Sequence, residues 1–330
     1  MASVGIISNP QAGRDIRRLV AYATISSNND KVNMIMRLLL GLNATDVNEV
    51  IIMPDVYGIG QEAAARFTKA RQLPMDVEFL DMPIENSEAD SYMASSMMKS
   101  LGVGCIITLG GDGTNRVVAK TCEETPVLPI STGTNNVFPL KVEATVAGMA
   151  AGLVANGLLD PCDTLSQRKK LEVIKDDEVT DIALVDAVIM TASYIGARAV
   201  WDVGQVKQII QTCSSLNDLG LSAIGGCVHY VDRLEENGLS VEIGNGNMSV
   251  VAPIGPGLIK EVQIKSVRRI RPDEKIPVQH LPSILALDGE RHLKLKKGEK
   301  ISIRLTGNGP RVVEVEKVLR LATQDGLFRK

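Results

Sequence analysis

Short apolar runs alternate with longer helix-compatible segments through the first half of the chain, and nothing else in the sequence constrains the fold as much. Val4 to Ser8, Val50 to Met53, Val77 to Leu80, Cys105 to Leu109 and the apolar centre of "TPVLPIST" are the runs. Asp15 to Ala21, Lys31 to Leu40, Gln61 to Arg71, Glu88 to Leu101 and Arg116 to Glu124 read as helices, as does the Ala-rich "ATVAGMAAGLVANGLL". A strand with one wet face alternates apolar and polar residues. These runs do not alternate, so both faces must be covered, which is the pattern of a parallel sheet with helices on each side. The expectation is an α/β fold whose N-terminal domain is doubly wound and Rossmann-like, with ligands at the carboxyl ends of the strands.

After about Gly157 the character changes. "LEVIKDDEVTDIALVDAVIM" reads as two strands around the turn residues Lys175 to Glu178, and "VKQIIQTCSSL" reads as a helix. From Leu239 onward strand-like pieces dominate: "LSVEI", "MSVVAPI", "EVQIKSVRRI", "SILALDGERHLKL", "KISIRL" and "RVVEVEKV". This predicts an α/β nucleotide-binding domain over 1–157. A β-rich, sandwich-like domain over 158–330 would complete a cleft, its last strand or helix packing back on the first domain.

The 330 residues suffice for two hydrophobic cores. A net charge of −3 and 3% aromatic residues argue against a nucleic-acid partner, which needs a basic footprint and stacking platforms. Five cysteines, odd in number and without Cys-x-x-Cys spacing, argue against zinc or a disulfide framework and fit a reducing cytoplasm. "MASVGIISNPQAG" lacks a basic segment ahead of an apolar one, and no stretch has the length of a membrane span, so no membrane partner is expected. His229, His280 and His292 stand alone without ligand spacing, and Lys169-Lys170 reads as a solvated strand end.

Chemistry concentrates in "CIITLGGDGTNRVVAK", residues 105–120. An Asp-Gly pair commonly marks a hairpin, but "NRVVAKTCEE" does not alternate as a returning strand would. Strand, glycine loop and helix start leave backbone N–H groups free for an anion, and glycines let phosphate oxygens approach without a Cβ in the way. "PISTGTNNVFP" (129–139) is a second small, polar loop after an apolar run. Two such loops at neighbouring strand ends would face one ligand from both sides.

These residues also resemble a known superfamily. "GGDGT" with "TGTNN" downstream, "NPQAG" after the first strand and "LALDGE" near the C-terminus resemble the NAD kinases and diacylglycerol kinases. "GIISNPQAGRDIRRLV", "GGDGTNRVVAK" and "STGTNNVFP" most resemble its NAD-kinase-like protein X family of acetoin catabolism. The resemblance implies ATP and Mg²⁺ as cofactors and phosphoryl transfer to an acceptor hydroxyl. Gly110, Gly111, Gly113 and Thr114 would line the phosphate loop, Asn9 and Gly13 would close the nucleotide site, and Thr132, Gly133, Thr134, Asn135 and Asn136 would form the second nucleotide loop. Asp112 would act beside the acceptor hydroxyl, as base or through the metal, and Asp186 would face the substrate. Asp112 is the only carboxylate in either glycine loop, and phosphoryl transfer needs one carboxylate to orient a hydroxyl or hold a cation.

Departures from the family pattern sharpen the reading. Many lipid kinases follow "GGDGT" with an Asn-Glu pair. Here Asn115-Arg116-Val117 follows, which makes Arg116 a phosphate-clamp candidate against the alternative of an exposed first-turn arginine. Val185 precedes Asp186 where NAD kinases place an asparagine, and their later Gly-Ser-Thr-Ala-Tyr segment is absent. Asp288 sits in a hairpin-like "LDGE" and is a second catalytic, acid–base or metal, candidate. The expected function is an ATP-dependent small-molecule kinase, with NAD as leading acceptor to give NADP. The alternatives are a polyol or acetoin-related diol as acceptor, or a nucleotide-binding regulator without turnover. A cytoplasmic homodimer or homotetramer is the expected state.

Overall fold

The computed structural model describes residues 2–13, 22, 26–70, 75–133, 135–191 and 203–329. The expected helix over 15–21 therefore lies outside the described residues, as does Arg71 at the end of another.

The first half contains β1 (Ser3–Ser8), α1 (Asn28–Asn43), β2 (Glu49–Ile52), α2 (Ile59–Ala70), β3 (Asp76–Phe79), α3 (Glu88–Leu101), β4 (Cys105–Gly110), α4 (Asp112–Ala119), β5 (Val127–Ser131) and α5 (Ala144–Ala155). β1 to β5 are mutually parallel in the order β3-β2-β1-β4-β5. Successive strand residues serve opposite cores. Ile6, Ile52 and Ile107 pack with α1, α2 and α5, whereas Ile7, Ile51 and Ile106 pack with α3 and α4. That division is why the runs show no alternation. Leu38, Leu39 and Leu42 of α1 are fully buried, each contributing roughly 1.5–3 kcal/mol of apolar burial. The Ala-rich α5 packs on α1 at a distance only small residues permit: a Cβ on Gly148 would lie 2.5 Å from the Leu38 carbonyl oxygen.

The second half supplies α6 (Pro161–Thr164), β6 (Leu165–Gln167), β7 (Lys170–Lys175), β8 (Glu178–Ala183), β9 (Asp186–Met190), β10 (Val206–Gln211), α7 (Ser222–Gly226), β11 (Gly238–Gly255), β12 (Leu258–Ile270), β13 (Lys275–Pro277), β14 (Ser283–Leu287), β15 (Glu290–Leu295), β16 (Ile301–Thr306), β17 (Arg311–Val313) and α8 (Val315–Gln324). Two antiparallel sheets, β12-β11-β10-β9-β14-β15 and β13-β16-β7-β8, share a core built on Leu171, Val173, Ile189, Leu285 and Ile303. The fold is thus a doubly wound α/β domain joined to an antiparallel β-rich one. β17 re-enters the first sheet beside β5, with β6 on its outer side, and α8 packs on α5.

Three expectations fail here for physical reasons. "VKQIIQ" is not a helix but β10, a central strand. Its apolar Val206, Ile209 and Ile210 mimic helical spacing because Gln208 and Gln211 are buried too, their Nε2 groups donating to Ser240 Oγ (3.0 Å) and the Ser222 carbonyl (2.8 Å). "EVEKV" belongs to α8 rather than a strand, burying Val315, Val318 and Ala322. "LEVIKDDEVTDIALVDAVIM" makes three strands, broken at Leu184-Val185.

Candidate active site

Three loops meet at the start of α4. β4 ends at Gly110, Gly111 occupies the position ahead of the helix, and Asp112 is its first residue. A Cβ on Gly110 would come within 2.6 Å of the Thr114 side chain, and one on Gly111 within 2.8 Å of Asn136 Oδ1. The second loop folds over them: Asn136 Nδ2 donates to Ser131 Oγ (2.9 Å) and Ser131 Oγ donates to the Gly133 carbonyl (3.0 Å). Asn136 thereby lies against both glycine loops, since a Cβ on Gly133 would be 3.0 Å from its amide nitrogen. Thr134 lies outside the described residues.

The loop after β1 closes the third side. Asn9 Nδ2 donates to Thr114 Oγ1 (2.9 Å), so the threonine hydroxyl is engaged by the first loop rather than capping the helix. Gly13 has φ +80°, and a Cβ there would meet the Thr132 carbonyl oxygen at 2.7 Å. Lys31 is buried in α1 and donates from Nζ to the carbonyls of Pro10 (3.1 Å) and Ala12 (2.8 Å), which fixes this loop from beneath. Nothing in the sequence reading singled out Lys31. A lysine opening an otherwise apolar helix face was the available signal.

Two carboxylates face each other's domains. Asp112 is 9% exposed, and its oxygens accept from the N–H groups of Val137 (3.1 Å) and Phe138 (2.8 Å). This side chain ties the first glycine loop to the far end of the second loop. Asp288 sits in the β14–β15 turn at φ +51°, followed by Gly289 at φ +79°. The hairpin reading is therefore correct, and the turn is what delivers the carboxylate to the domain boundary. Its oxygens accept from the N–H groups of Leu184 (3.0 Å) and Val185 (2.7 Å), the two residues at which the expected long strand breaks. The ladder is interrupted because a carboxylate has taken its donors. Burial pushes the Asp288 carboxyl up to about 8, against the opposing Arg116 charge and the Leu184 N–H, with the negative charges of Asp112 and Asp186 adding to the rise. Asp186 itself is buried and accepts from Ser222 Oγ (2.8 Å).

Residues 4–157 match the model of the ATP-NAD kinase N-terminal domain, and residues 169–308 match that of the acetoin catabolism protein X C-terminal domain. An acetoin catabolism protein X from Cupriavidus necator is 37% identical, covering 99% of this chain and 94% of its own length. The chain belongs to the acetoin catabolism protein X family. A solved Bacillus anthracis protein, provisionally described as a diacylglycerol kinase, aligns over 94% of this chain and 96% of its own at 15% identity and a TM-score of 0.44.

Two basic residues sit otherwise than the sequence leads one to expect. Arg116 is neither exposed nor turned to an open phosphate site. Its side chain is 0% exposed, and Nη1 donates to both oxygens of Asp181 on β8 (3.2 and 3.3 Å), with Asp288 3.9 Å from Nε. Lys169 is buried, not a solvated strand end, and donates to the carbonyls of Asp232 (3.1 Å) and Asn237 (2.7 Å). Asn135 lies beside Gly220 of the second domain. Among the described residues no group of three or more His, Cys, Asp or Glu gathers as a metal cage. Among them, too, no helix is long and apolar enough to cross a membrane.

Proposed function

We propose that this chain is an ATP-dependent phosphotransferase acting on a hydroxyl of a small acceptor in the cytoplasm. One observation carries the reading: three loops close around the first turn of an eight-residue helix, and a carboxylate from each domain is buried beside it. A helix start behind a glycine loop suits phosphate oxygens, and Mg²⁺ bound with the nucleotide would neutralise charge on the transferring group. Asp112 holds the second loop closed and keeps negative charge where an acceptor hydroxyl must be oriented. Asp288, raised to about 8, holds its proton through neutral pH, and its ionised fraction, which grows as pH nears 8, is the form that would take the proton of the acceptor hydroxyl.

NAD, phosphorylated on its adenosine ribose, is the leading acceptor. A smaller polyol or diol is the second reading, favoured by Val185, which packs with Val137, Phe138 and Cys213 where an asparagine would read a dinucleotide. A screen with ATP and Mg²⁺ over NAD, NADH, nucleosides and small polyols, detecting ADP and phosphorylated product, tests both. Acceptor-dependent ADP release identifies the substrate. ATP binding without turnover on any acceptor would leave only a nucleotide-binding regulator.

A further inference from the structure

We propose that Arg116 is a positioning residue that pins the Asp288 turn of the second domain against α4 and supplies the positive charge that lets this carboxyl ionise there. Asp112 and Arg116 are four positions apart, so the two lie one turn apart on the same face of α4. The guanidinium is completely buried and reaches across the boundary. Nη1 donates to Asp181 on β8 at 3.2 Å, Nε stands 3.9 Å from Asp288 Oδ2, and Nη2 is 3.7 Å from the exposed Glu88 at the start of α3.

The charges around Asp288 make this placement consequential. Asp112 from the start of α4 and Asp186 from β9 both oppose its ionisation, as does its own burial. Arg116 is the cation that opposes them. Asp181 competes with Asp288 for that cation, and Lys120 of the α4 C-terminal flank shares Asp181 at 2.7 Å. Arginine suits the role because its planar fork addresses two carboxylates at once and keeps its charge when buried. Neither Arg116 nor Asp181 needs to touch the reacting groups for this effect.

The consequence for turnover rests on the kinase reading above, whereas the ionisation of Asp288 does not. The test follows the Asp288 side-chain carboxyl by NMR in the full chain labelled with ¹³C at aspartate, its signal assigned by loss in Asp288→Asn. Arg116→Gln should raise the Asp288 titration midpoint by at least one pH unit, about a tenfold fall in the ratio of ionised to protonated carboxyl at a given pH. Arg116→Lys should restore at least half of that shift. Asp181→Asn should move the midpoint the other way, because it releases the guanidinium to Asp288. This opposite shift carries the test alone should Arg116→Gln not fold. An unchanged midpoint in Asp181→Asn, or an unchanged or lowered one in folded Arg116→Gln, would overturn the proposal. With NAD as acceptor, the acid limb of the kcat profile should follow the same midpoints. Absence of NAD phosphorylation in the wild type would remove the NAD reading and leave the titration result standing.

Discussion

Asp112 and Asp288 are held by the same chemistry in opposite settings. Each carboxylate accepts backbone N–H groups from consecutive residues, Val137-Phe138 for one and Leu184, Val185 and Asp186 for the other. Asp112 opens a helix, whose N-terminal end favours negative charge, and it retains slight contact with solvent. Asp288 occupies a left-handed turn inside the protein, close enough to Asp112 and Asp186 to feel both charges. The difference teaches that one way of holding a carboxylate serves both a helix start with slight solvent contact and a buried turn, where burial and two neighbouring negative charges push the carboxyl up.

The largest expected effect tests the buried turn at Asp288. Asp288→Asn keeps an oxygen for the Leu184 and Val185 N–H groups while removing the proton acceptor. Turnover should fall on the order of 10²- to 10⁴-fold with ATP affinity little changed. A variant that turns over normally would make Asp288 a turn residue only. A smaller effect is expected from Gly111→Val, which drives a side chain into Asn136 and separates the two glycine loops. Overpacking of this kind costs about 1–3 kcal/mol, so nucleotide affinity measured by calorimetry should drop severalfold to a hundredfold in a folded protein. Unchanged affinity would move the nucleotide away from these loops.

The smallest effect is a pH slope, and its sign follows from the raised carboxyl. The folded state keeps the Asp288 proton up to about pH 8, whereas the unfolded chain loses it near the ordinary value of 3.8. The folded state therefore binds more protons across that window. The associated stability is fully present below about pH 4 and is lost as pH rises towards 8, at no more than about 1.4 kcal/mol per pH unit. Denaturant melts should show this slope in the wild type and lose it in Asp288→Asn. An equal slope in both would place Asp288 among ordinary carboxylates.

Legibility of the sequence divides along similar lines. The N-terminal domain could be read because its strands are buried on both faces and its loops carry glycines that only close backbone approach explains, as at Gly110 and Gly111. The second domain hid more. Gln208 and Gln211 are polar residues inside a sheet, so β10 imitates a helix. The break between β8 and β9 exists because Asp288, a hundred residues later, claims its N–H groups, and no local pattern encodes that. Arg116 belongs to the same class. Its position in the motif was plain, but its partner Asp181 comes from a strand 65 residues away. Backbone donors such as Val137 and Phe138 leave no side-chain signature at all.

The most direct test of the central claim compares ATP binding and acceptor-dependent ADP release in the wild type and in Asp112→Asn. The substitution removes the charge at the start of α4 while keeping one oxygen for the Val137 and Phe138 N–H groups. ATP affinity should persist or rise slightly as repulsion of the phosphates is relieved, while kcat falls by about 10²-fold or more. A folded Asp112→Asn protein that turns over its acceptor at near the wild-type rate would contradict the account, because Asp112 would then serve only to tie the two loops together.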